Sequence, residues 1–292
     1  MFIESMSLIR PSWLKMKIPS GENYVKVKKT IQKYNLHTVC EEASCPNVSE
    51  CWDSGTATIM IMGDVCSRGC KFCNVDTGKP FELDSKEPQH VAQAIKDWNL
   101  RYVVITSVCR DDLLDEGSKH FAKTIQCIKS ECPNTVVESL IPDFSGNEKF
   151  IETIVKENPH VIGHNIETVK RLSSKVRDPR ANYKQSLNVL KYVKKSNSNI
   201  FTKSSLMLGL GETDQEILQT AQDLRDIEVD LITLGQYMQP SQFHLPVKEF
   251  VTPDKFYQLK LDLKKLGFLH VESGPFVRSS FRASDVIDLI LK

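Results

Sequence analysis

The sequence predicts an α/β fold built on a parallel sheet, and three observations carry that reading. Apolar, β-branched runs of strand length recur at residues 58–62, 102–107, 135–141, 160–165, 201–208 and 231–236. Amphipathic helical patterns fill the gaps, the alternation that gives parallel strands joined by right-handed crossovers. Polar and glycine residues collect just after the runs, where sites form in parallel α/β folds. Periodicity leaves an open doubly wound sheet and a barrel as alternatives, and 292 residues are enough for either.

In chain order, residues 1 to about 35 are basic and polar, with Pro11, Pro19 and Gly21 as punctuation and a short helix expected over 24–34. Residues 37–53 read as a loop carrying Cys40, Cys45 and Cys51, with Pro46 and Asn47 breaking helix inside it. That stretch has too few apolar residues to fold alone, so it is expected to lie against a core. The 58–62 run leads into Cys66, Cys70 and Cys73. Helical stripes follow at Val91, Ile95 and Trp98, at Phe121, Ile125 and Ile128, at Phe150, Ile154 and Val155, and at Leu187, Leu190 and Val193. Thr213 to Glu216 fits a capping box ahead of Ile217, Ala221 and Leu224. The last stripe, Phe256, Leu259, Leu263 and Leu266, opens at Thr252-Pro253 and closes at Gly267.

The 38 basic and 37 acidic side chains nearly cancel, so no global field attracts nucleic acid or an anionic membrane. No apolar run approaches the ~20 residues of a spanning helix. Neither nucleic acid nor membrane is expected as a partner. The first residues lack an uninterrupted apolar stretch of secretory type. The nine cysteines therefore point to a reducing compartment, cytoplasmic or organellar, and to metal binding or chemistry rather than a disulfide framework.

Six of the nine cysteines fall in two triplets, C-x4-C-x5-C at Cys40, Cys45 and Cys51, and C-x3-C-x2-C at Cys66, Cys70 and Cys73. Three thiolates on one short loop past a strand can wrap a corner of a 4Fe–4S cluster and leave its fourth iron open to a ligand. A zinc site is the alternative. Zinc favours C-x2-C pairs with a fourth Cys or His at regular spacing, and the second triplet has neither, though His90 lies within loop reach.

The Cys66–Cys73 loop, with Phe72 ahead of its last cysteine and after the first strand of an α/β repeat, resembles the signature of the radical S-adenosylmethionine (SAM) superfamily. That resemblance implies a partial (β/α)6 TIM-like barrel with N-terminal and C-terminal extensions. It also implies a cluster whose open iron chelates SAM, and release of a 5′-deoxyadenosyl radical. The stretch 40–52 and the tail Gly274-Pro275-Phe276-Val277-Arg278-Ser279-Ser280-Phe281 resemble the auxiliary-cluster motif and terminal R-S-S-Y of the lipoyl synthase family, with Phe281 in place of Tyr. Residues 106–112, 140–144, 164–168, 207–213 and 236–241 are similar to further motifs of that family, except that Cys109 stands where the family has Asp.

What the resemblance implies is insertion of two sulfur atoms at C6 and C8 of an octanoyl chain held on a lysine of a carrier domain. No acid or base in a protein deprotonates such a C–H, so cofactor radical chemistry is required. The resemblance carries two 4Fe–4S clusters and SAM as cofactors. It gives Cys66, Cys70 and Cys73 to the radical cluster, and Cys40, Cys45, Cys51 and Ser280 to the auxiliary one, with Ser279 as the alternative serine. A serine oxygen is a harder donor than thiolate, which suits a cluster dismantled to supply sulfur. Implied partners are an octanoylated lipoyl carrier domain, from a 2-oxoacid dehydrogenase E2 subunit or a glycine cleavage H protein, and a reduced ferredoxin or flavodoxin-type electron donor. The expected division is 1–57 with the auxiliary motif, 58–240 as barrel, and 241–292 as a closing segment. A biotin synthase-like or methylthiotransferase-like enzyme is the alternative; those lack an upstream triplet paired with a terminal R-S-S. An electron carrier or zinc protein would instead need closed four-ligand sites.

Ser107, Asp111, Asn165 and Glu167 stand where family members touch the cofactor's amino group and ribose; strand-end hydrogen bonding is the alternative. Asn165 and Glu167, two apart, are expected to face one side. Gly209 and Gly211 either let backbone approach adenine or simply turn the chain. Lys203 and Arg177 or Arg180 either neutralise the cofactor carboxylate or, the reading preferred for each, are exposed charges; His164 reads as a satisfied core residue, Cys127 as packing, and Cys109 as having no catalytic role.

Overall fold

The run Thr56–Ile61 is buried along its whole length, as a strand covered on both faces must be. It is β2 of an eight-stranded sheet in the computed structural model, which describes residues 10–14, 22–42, 45, 47–53, 56–281 and 283–291. The sheet order is β1 (His37–Thr38), β2, β3 (Tyr102–Ser107), β4 (Val136–Leu140), β5 (Val161–Gly163), β6 (Phe201–Leu208), β7 (Leu231–Gln236) and β8 (His270–Gly274). From β2 to β8 every neighbouring pair is parallel, while β1 runs antiparallel at the β2 edge. Spatial order follows chain order throughout. That is the arrangement of a curled, open barrel; a doubly wound sheet reverses its order at a switch point.

Within this sheet two strands exceed the six expected, and a separate two-stranded sheet pairs Val65–Cys66 with Asp76–Thr77. β1 is only a residue pair, and β8 reads His-Val-Glu-Ser-Gly, with Val271 alone fully buried. Neither offers an apolar run. β2 starts and ends earlier than the 58–62 expectation because Met62 (φ +69) and Gly63 (φ +88) turn out of the strand in the left-handed region. β3, β6 and β7 have the expected bounds.

The connecting helices are α1 (Glu22–Tyr34), α2 (Glu87–Trp98), α3 (Ser118–Glu131), α4 (Glu148–Val155), α5 (Tyr183–Ser196), α6 (Asp214–Arg225) and α7 (Pro253–Lys265). The expected stripes of α2 and α3 are buried, while on α4 and α5 Ile151 and Val189 take the places read for Phe150 and Leu187. Thr213 and Glu216 form the reciprocal capping box at α6. Residues 37–53 are not a plain loop. After β1 come short helices at Val39–Glu42 and Val48–Asp53. Asn47 stands just ahead of the second rather than breaking it, its carbonyl accepting from Cys51 N–H at 2.9 Å. Trp52 is buried and stacks on Tyr24 of α1 with ring centroids 5.0 Å apart, which seats the extension on the barrel.

The end of the barrel away from the loops is plugged by the last residues. Ala283, Val286 and Ile287 pack on Tyr102, Val104, Val136, Val161 and Leu231. In the same region Lys203 Nζ donates to both oxygens of Glu138 (2.9 Å each), and Tyr102 OH donates to the same carboxylate (2.7 Å). Lys203 is thus a buried, paired lysine, not an exposed charge. Strand alternation aims it into the lumen, where a carboxylate is its partner.

Candidate active site

The Cys66–Cys73 loop is tied to the segments that follow other strands. Ser67 donates from both N–H (3.1 Å) and Oγ (2.9 Å) to the Cys109 carbonyl after β3. Arg68, its side chain 3% exposed, bonds Asp111 through Nη2 (2.6 Å) and Nε (3.0 Å), and Asp143 through Nη1 (2.7 Å). Gly69 N–H donates to Asp178 (2.9 Å), Lys71 N–H to the Val176 carbonyl (3.0 Å), and Asp178 N–H to Cys70 Sγ (3.3 Å). His244 Nε2 meets the Cys73 carbonyl at 2.9 Å, and Leu245 N–H donates to the Lys71 carbonyl at 3.2 Å. Six of the eight residues of this loop are thereby fixed by partners far away in sequence.

The first triplet is seated differently. Cys40 is buried in the first short helix and belongs to the same apolar core as Trp52 and β2. Cys45 N–H donates to the Cys40 carbonyl at 3.0 Å. The buried Asn47 side chain donates from Nδ2 to the Phe276 carbonyl at 2.6 Å. The tail that carries Arg278, Ser279 and Ser280 thereby lies against the first triplet, and the Arg278 cation acts electrostatically on Cys45.

A cavity of about 1130 Å³ joins the two regions. Its wall includes Phe72, Cys73 and Asn74 from the second triplet's loop, and Val39, Arg278 and Ser279 beside the first. Asn165 and Glu167 also line it, facing one side as their spacing requires. Glu167 sits in the left-handed region at φ +67, held there by a bridge to Leu206 and by its N–H donating to the Ser205 carbonyl at 3.0 Å. A non-glycine residue so placed stores on the order of 1–3 kcal/mol, a cost that concentrates at functional sites. Burial raises its carboxyl pKa, with the Arg177 charge and an Asn165 hydrogen bond working the other way.

Other expected residues fall elsewhere. Ser107 Oγ is buried at the end of β3 with no hydrogen-bond partner among the described residues. Asp111 spends its oxygens on Ser67, Arg68 and Arg180. Gly209 (φ +101) and Gly211 lie under Lys248 and Glu249. A Cβ on Gly209 would stand 2.5 Å from the Glu249 carbonyl oxygen, so this glycine admits the segment that walls the cavity. Arg177 is buried and donates to Ser186 Oγ (2.7 Å), contrary to the exposure expected of it. Arg180 is half-exposed and paired with Asp178. His164 is the satisfied core residue expected, with Nδ1 at 2.9 Å from the Ile141 carbonyl and Nε2 at 2.8 Å from Ser186 Oγ. Arg10, His244 and Lys248 line the cavity without any signal in the sequence, since each is a lone polar residue in a polar stretch.

The thiols are poised unevenly. Burial pushes Cys40 and Cys73 up to about 12 and raises Cys45 and Cys70. Cys66 moves down, because the Cys109 thiol hydrogen-bonds to it and the N–H groups of Arg68 and Cys109 point at its sulfur. Thiols buried this way ionise when a cation binds, so metal uptake releases protons. Soft thiolates select iron–sulfur or zinc chemistry. Among the described residues, the donor atoms that converge within 4.8 Å, as on a single ion, belong to His37, Glu42 and Asp64 and to neither triplet. Thiolates on one zinc lie only about 2.3 Å from it. Neither triplet is gathered on a single ion among the described residues, and sets of three thiols are donors of the kind that iron–sulfur clusters take.

Comparison with known proteins agrees with this chemistry. The model of the radical SAM superfamily matches residues 60–224, and that of the N-terminal domain of lipoyl synthase matches residues 4–45. The chain is 54% identical over 276 residues to the lipoyl synthase of Myxococcus xanthus, covering 94% of this chain and 93% of that one. It is 56% identical to that of Picrophilus torridus (93% and 94% covered) and 54% identical to the mitochondrial lipoyl synthase of Schizosaccharomyces pombe (94% and 76%). Among solved structures, methylornithine synthase superposes with a TM-score of 0.56 at 12% identity (94% and 89% covered). The FeFe-hydrogenase maturase of Carboxydothermus hydrogenoformans does so with 0.57 at 13% (92% and 78%). At that identity the structures speak for the fold alone.

Proposed function

The chain belongs to the lipoyl synthase family of the radical SAM superfamily, and from that premise we propose that it inserts two sulfur atoms, at C6 and C8, into an octanoyl chain borne on a lysine of a lipoyl carrier domain. The observation that carries this reading is the single cavity whose wall takes in Cys73 on one side and Arg278 and Ser279 on the other. A radical generated at one triplet and a sulfur source at the other need a shared, water-poor space, and the substrate chain has to reach both.

Cys66, Cys70 and Cys73 would hold a 4Fe–4S cluster with one open iron; Cys40, Cys45, Cys51 and Ser280 would hold the auxiliary cluster. When bound, the first supplies the electron that cleaves SAM and the second supplies the sulfur. The protein's own residues do the rest. The Arg68 contacts with Asp111 and Asp143 fix the loop, whose Cys73 lies in the cavity wall. Asn165 and Glu167 offer polar atoms to the cofactor's amino group and ribose, whereas the buried Ser107 hydroxyl lies outside the cavity wall. Asp111 braces the loop, while Gly209 and Gly211 seat the 245–250 segment that walls the adenine end. The divisions 1–57, 58–240 and 241–292 serve as sulfur-source extension, radical barrel and closing segment, although α7 and β8 extend the sheet itself; residues 1–9 and 15–21 lie outside those described. The carrier is an E2 subunit domain or a glycine cleavage H protein, and the electron comes from a ferredoxin or flavodoxin-type donor.

The test is anaerobic reconstitution followed by incubation with reductant, SAM and an octanoyl-lysine peptide. About eight irons per chain, as two clusters of four, with 5′-deoxyadenosine and thiolated octanoyl products, support the reading. Stoichiometric zinc, or no SAM cleavage, overturns it.

A further inference from the structure

The tail carrying Arg278, Ser279 and Ser280 leaves β8 at Gly274 and turns back at once, Val277 N–H donating to the Gly274 carbonyl at 3.1 Å. That turn drives the backbone across the inner face of β7. At the crossing stands Gly235, paired with Met207 on one side and Gly274 on the other. A Cβ there would lie 2.0 Å from the Val277 carbonyl oxygen and 2.9 Å from its carbon. Gly235 has no positive φ, so its backbone would accept any residue; space alone demands glycine. The same Val277 carbonyl accepts from Arg278 Nη1 at 2.7 Å. One residue earlier, the Phe276 carbonyl accepts from the buried Asn47 side chain at 2.6 Å.

We propose that Asn47 and Gly235 are positioning residues which clamp consecutive carbonyls of the tail, and that this clamp decides whether Ser280 stays in reach of the first cysteine triplet. Asn47 belongs to the same short segment as Cys45 and Cys51, so its bond ties the tail directly to the donor set. Gly235 sets the depth to which the tail sinks into the barrel mouth. Neither residue contributes a ligand atom. The second triplet is held by Arg68 and its acidic partners.

The inference rests on the reading that the first triplet and Ser280 hold an auxiliary cluster. The experiment compares Asn47→Asp, Gly235→Ala and, as control, Gly274→Ala in anaerobically reconstituted enzyme. Asn47→Asp keeps the shape and removes the donor. Gly274→Ala meets Val277 only at a flexible Cγ2 3.4 Å away. Three readouts are taken: iron per chain with the electron paramagnetic resonance of the reduced protein, SAM cleavage, and hydrogen exchange of the peptide covering 275–281. Asn47→Asp and Gly235→Ala are expected to fall from about eight irons to about four, with SAM cleavage retained. Exchange of the tail should rise about tenfold, the scale of one lost hydrogen bond in the interior. Gly274→Ala should leave all three unchanged. Full iron with unchanged tail exchange in both variants overturns the clamp, as does a parallel loss of both clusters, the signature of general misfolding. An unsubstituted protein holding only about four irons sinks the two-cluster reading instead, and tail exchange then still decides the clamp.

Discussion

The two cysteine triplets of this chain differ in what holds them: the second is locked by buried charge and hydrogen bonds from distant loops, the first by apolar packing and the returning tail. Arg68 carries the second, paired with two carboxylates in a nearly dry setting. Trp52 stacked on Tyr24, and Asn47 bonded to Phe276, carry the first. A buried guanidinium network resists rearrangement, because breaking one partner strands the others without water. A stack and one amide bond give way far more easily. The proposed radical-generating site is thus built as permanent framework, whereas the proposed sulfur source is assembled from both ends of the chain. That suits a cluster that must be taken apart and rebuilt.

The contrast can be broken most severely at the ligands. Cys70→Ala should abolish 5′-deoxyadenosine formation, measured by chromatography. Ser280→Ala should keep that cleavage while lowering sulfur insertion on the order of tenfold or more; Ser279→Ala should do so only if the neighbouring serine is the ligand. Loss of cleavage with insertion spared in Ser280→Ala would mean that the two sites are assigned the wrong way round. Next in size is Arg68→Met, which leaves Asp143 buried without its cationic partner, while Asp111 keeps Arg180 and Ser67. Chemical denaturation should register a loss of about 3–5 kcal/mol, with radical-cluster iron lost before auxiliary iron.

A smaller effect concerns acid. The Arg180 bond, with the N–H groups of Arg180 and Gly69, holds the Asp178 carboxyl well below the usual carboxylate range. A carboxylate lowered in the folded state stabilises it above the unfolded pKa of about 4, and this is lost as pH falls through the folded value. Acid denaturation between about pH 5 and 2 should therefore be flatter in Asp178→Asn than in the parent. Least of all, Thr213→Ala removes the α6 capping box at a cost of about 1 kcal/mol, with both clusters untouched. Any change in iron content there would show that the outer helices are coupled to the sites.

Much of this was legible in the residues. β3 and β7 announce themselves because strands buried on both faces are largely apolar, while β6 shows itself by its length and apolar ends despite Lys203, Ser204 and Ser205 inside it. β8 stayed hidden because its polar members Glu272 and Ser273 are satisfied by Lys260 Nζ and the Phe256 carbonyl of α7, so it needs no apolar run. The helices around the first triplet were missed because they are single turns, set by packing rather than propensity. In the site, cysteine spacing placed both donor sets, but Lys203 and Arg177 were taken for surface charges. A charged residue in a strand says nothing about exposure until its partner is known; that of Lys203 is Glu138, on a different strand.

By itself the sequence determined the chemistry: soft donors in two triplets of fixed spacing, a parallel sheet to present them, and terminal motifs specific enough to name a family. Those properties are local, set by residue type and short spacing. Only the tertiary structure decided that Cys73 shares a cavity with Arg278 and Ser279 of the tail, that this tail from the far end of the chain crosses Gly235, and that one triplet is locked by charge while the other is packed and tied to the tail. Such facts depend on which distant residues meet when the sheet curls, and contacts of that kind leave no period in the sequence.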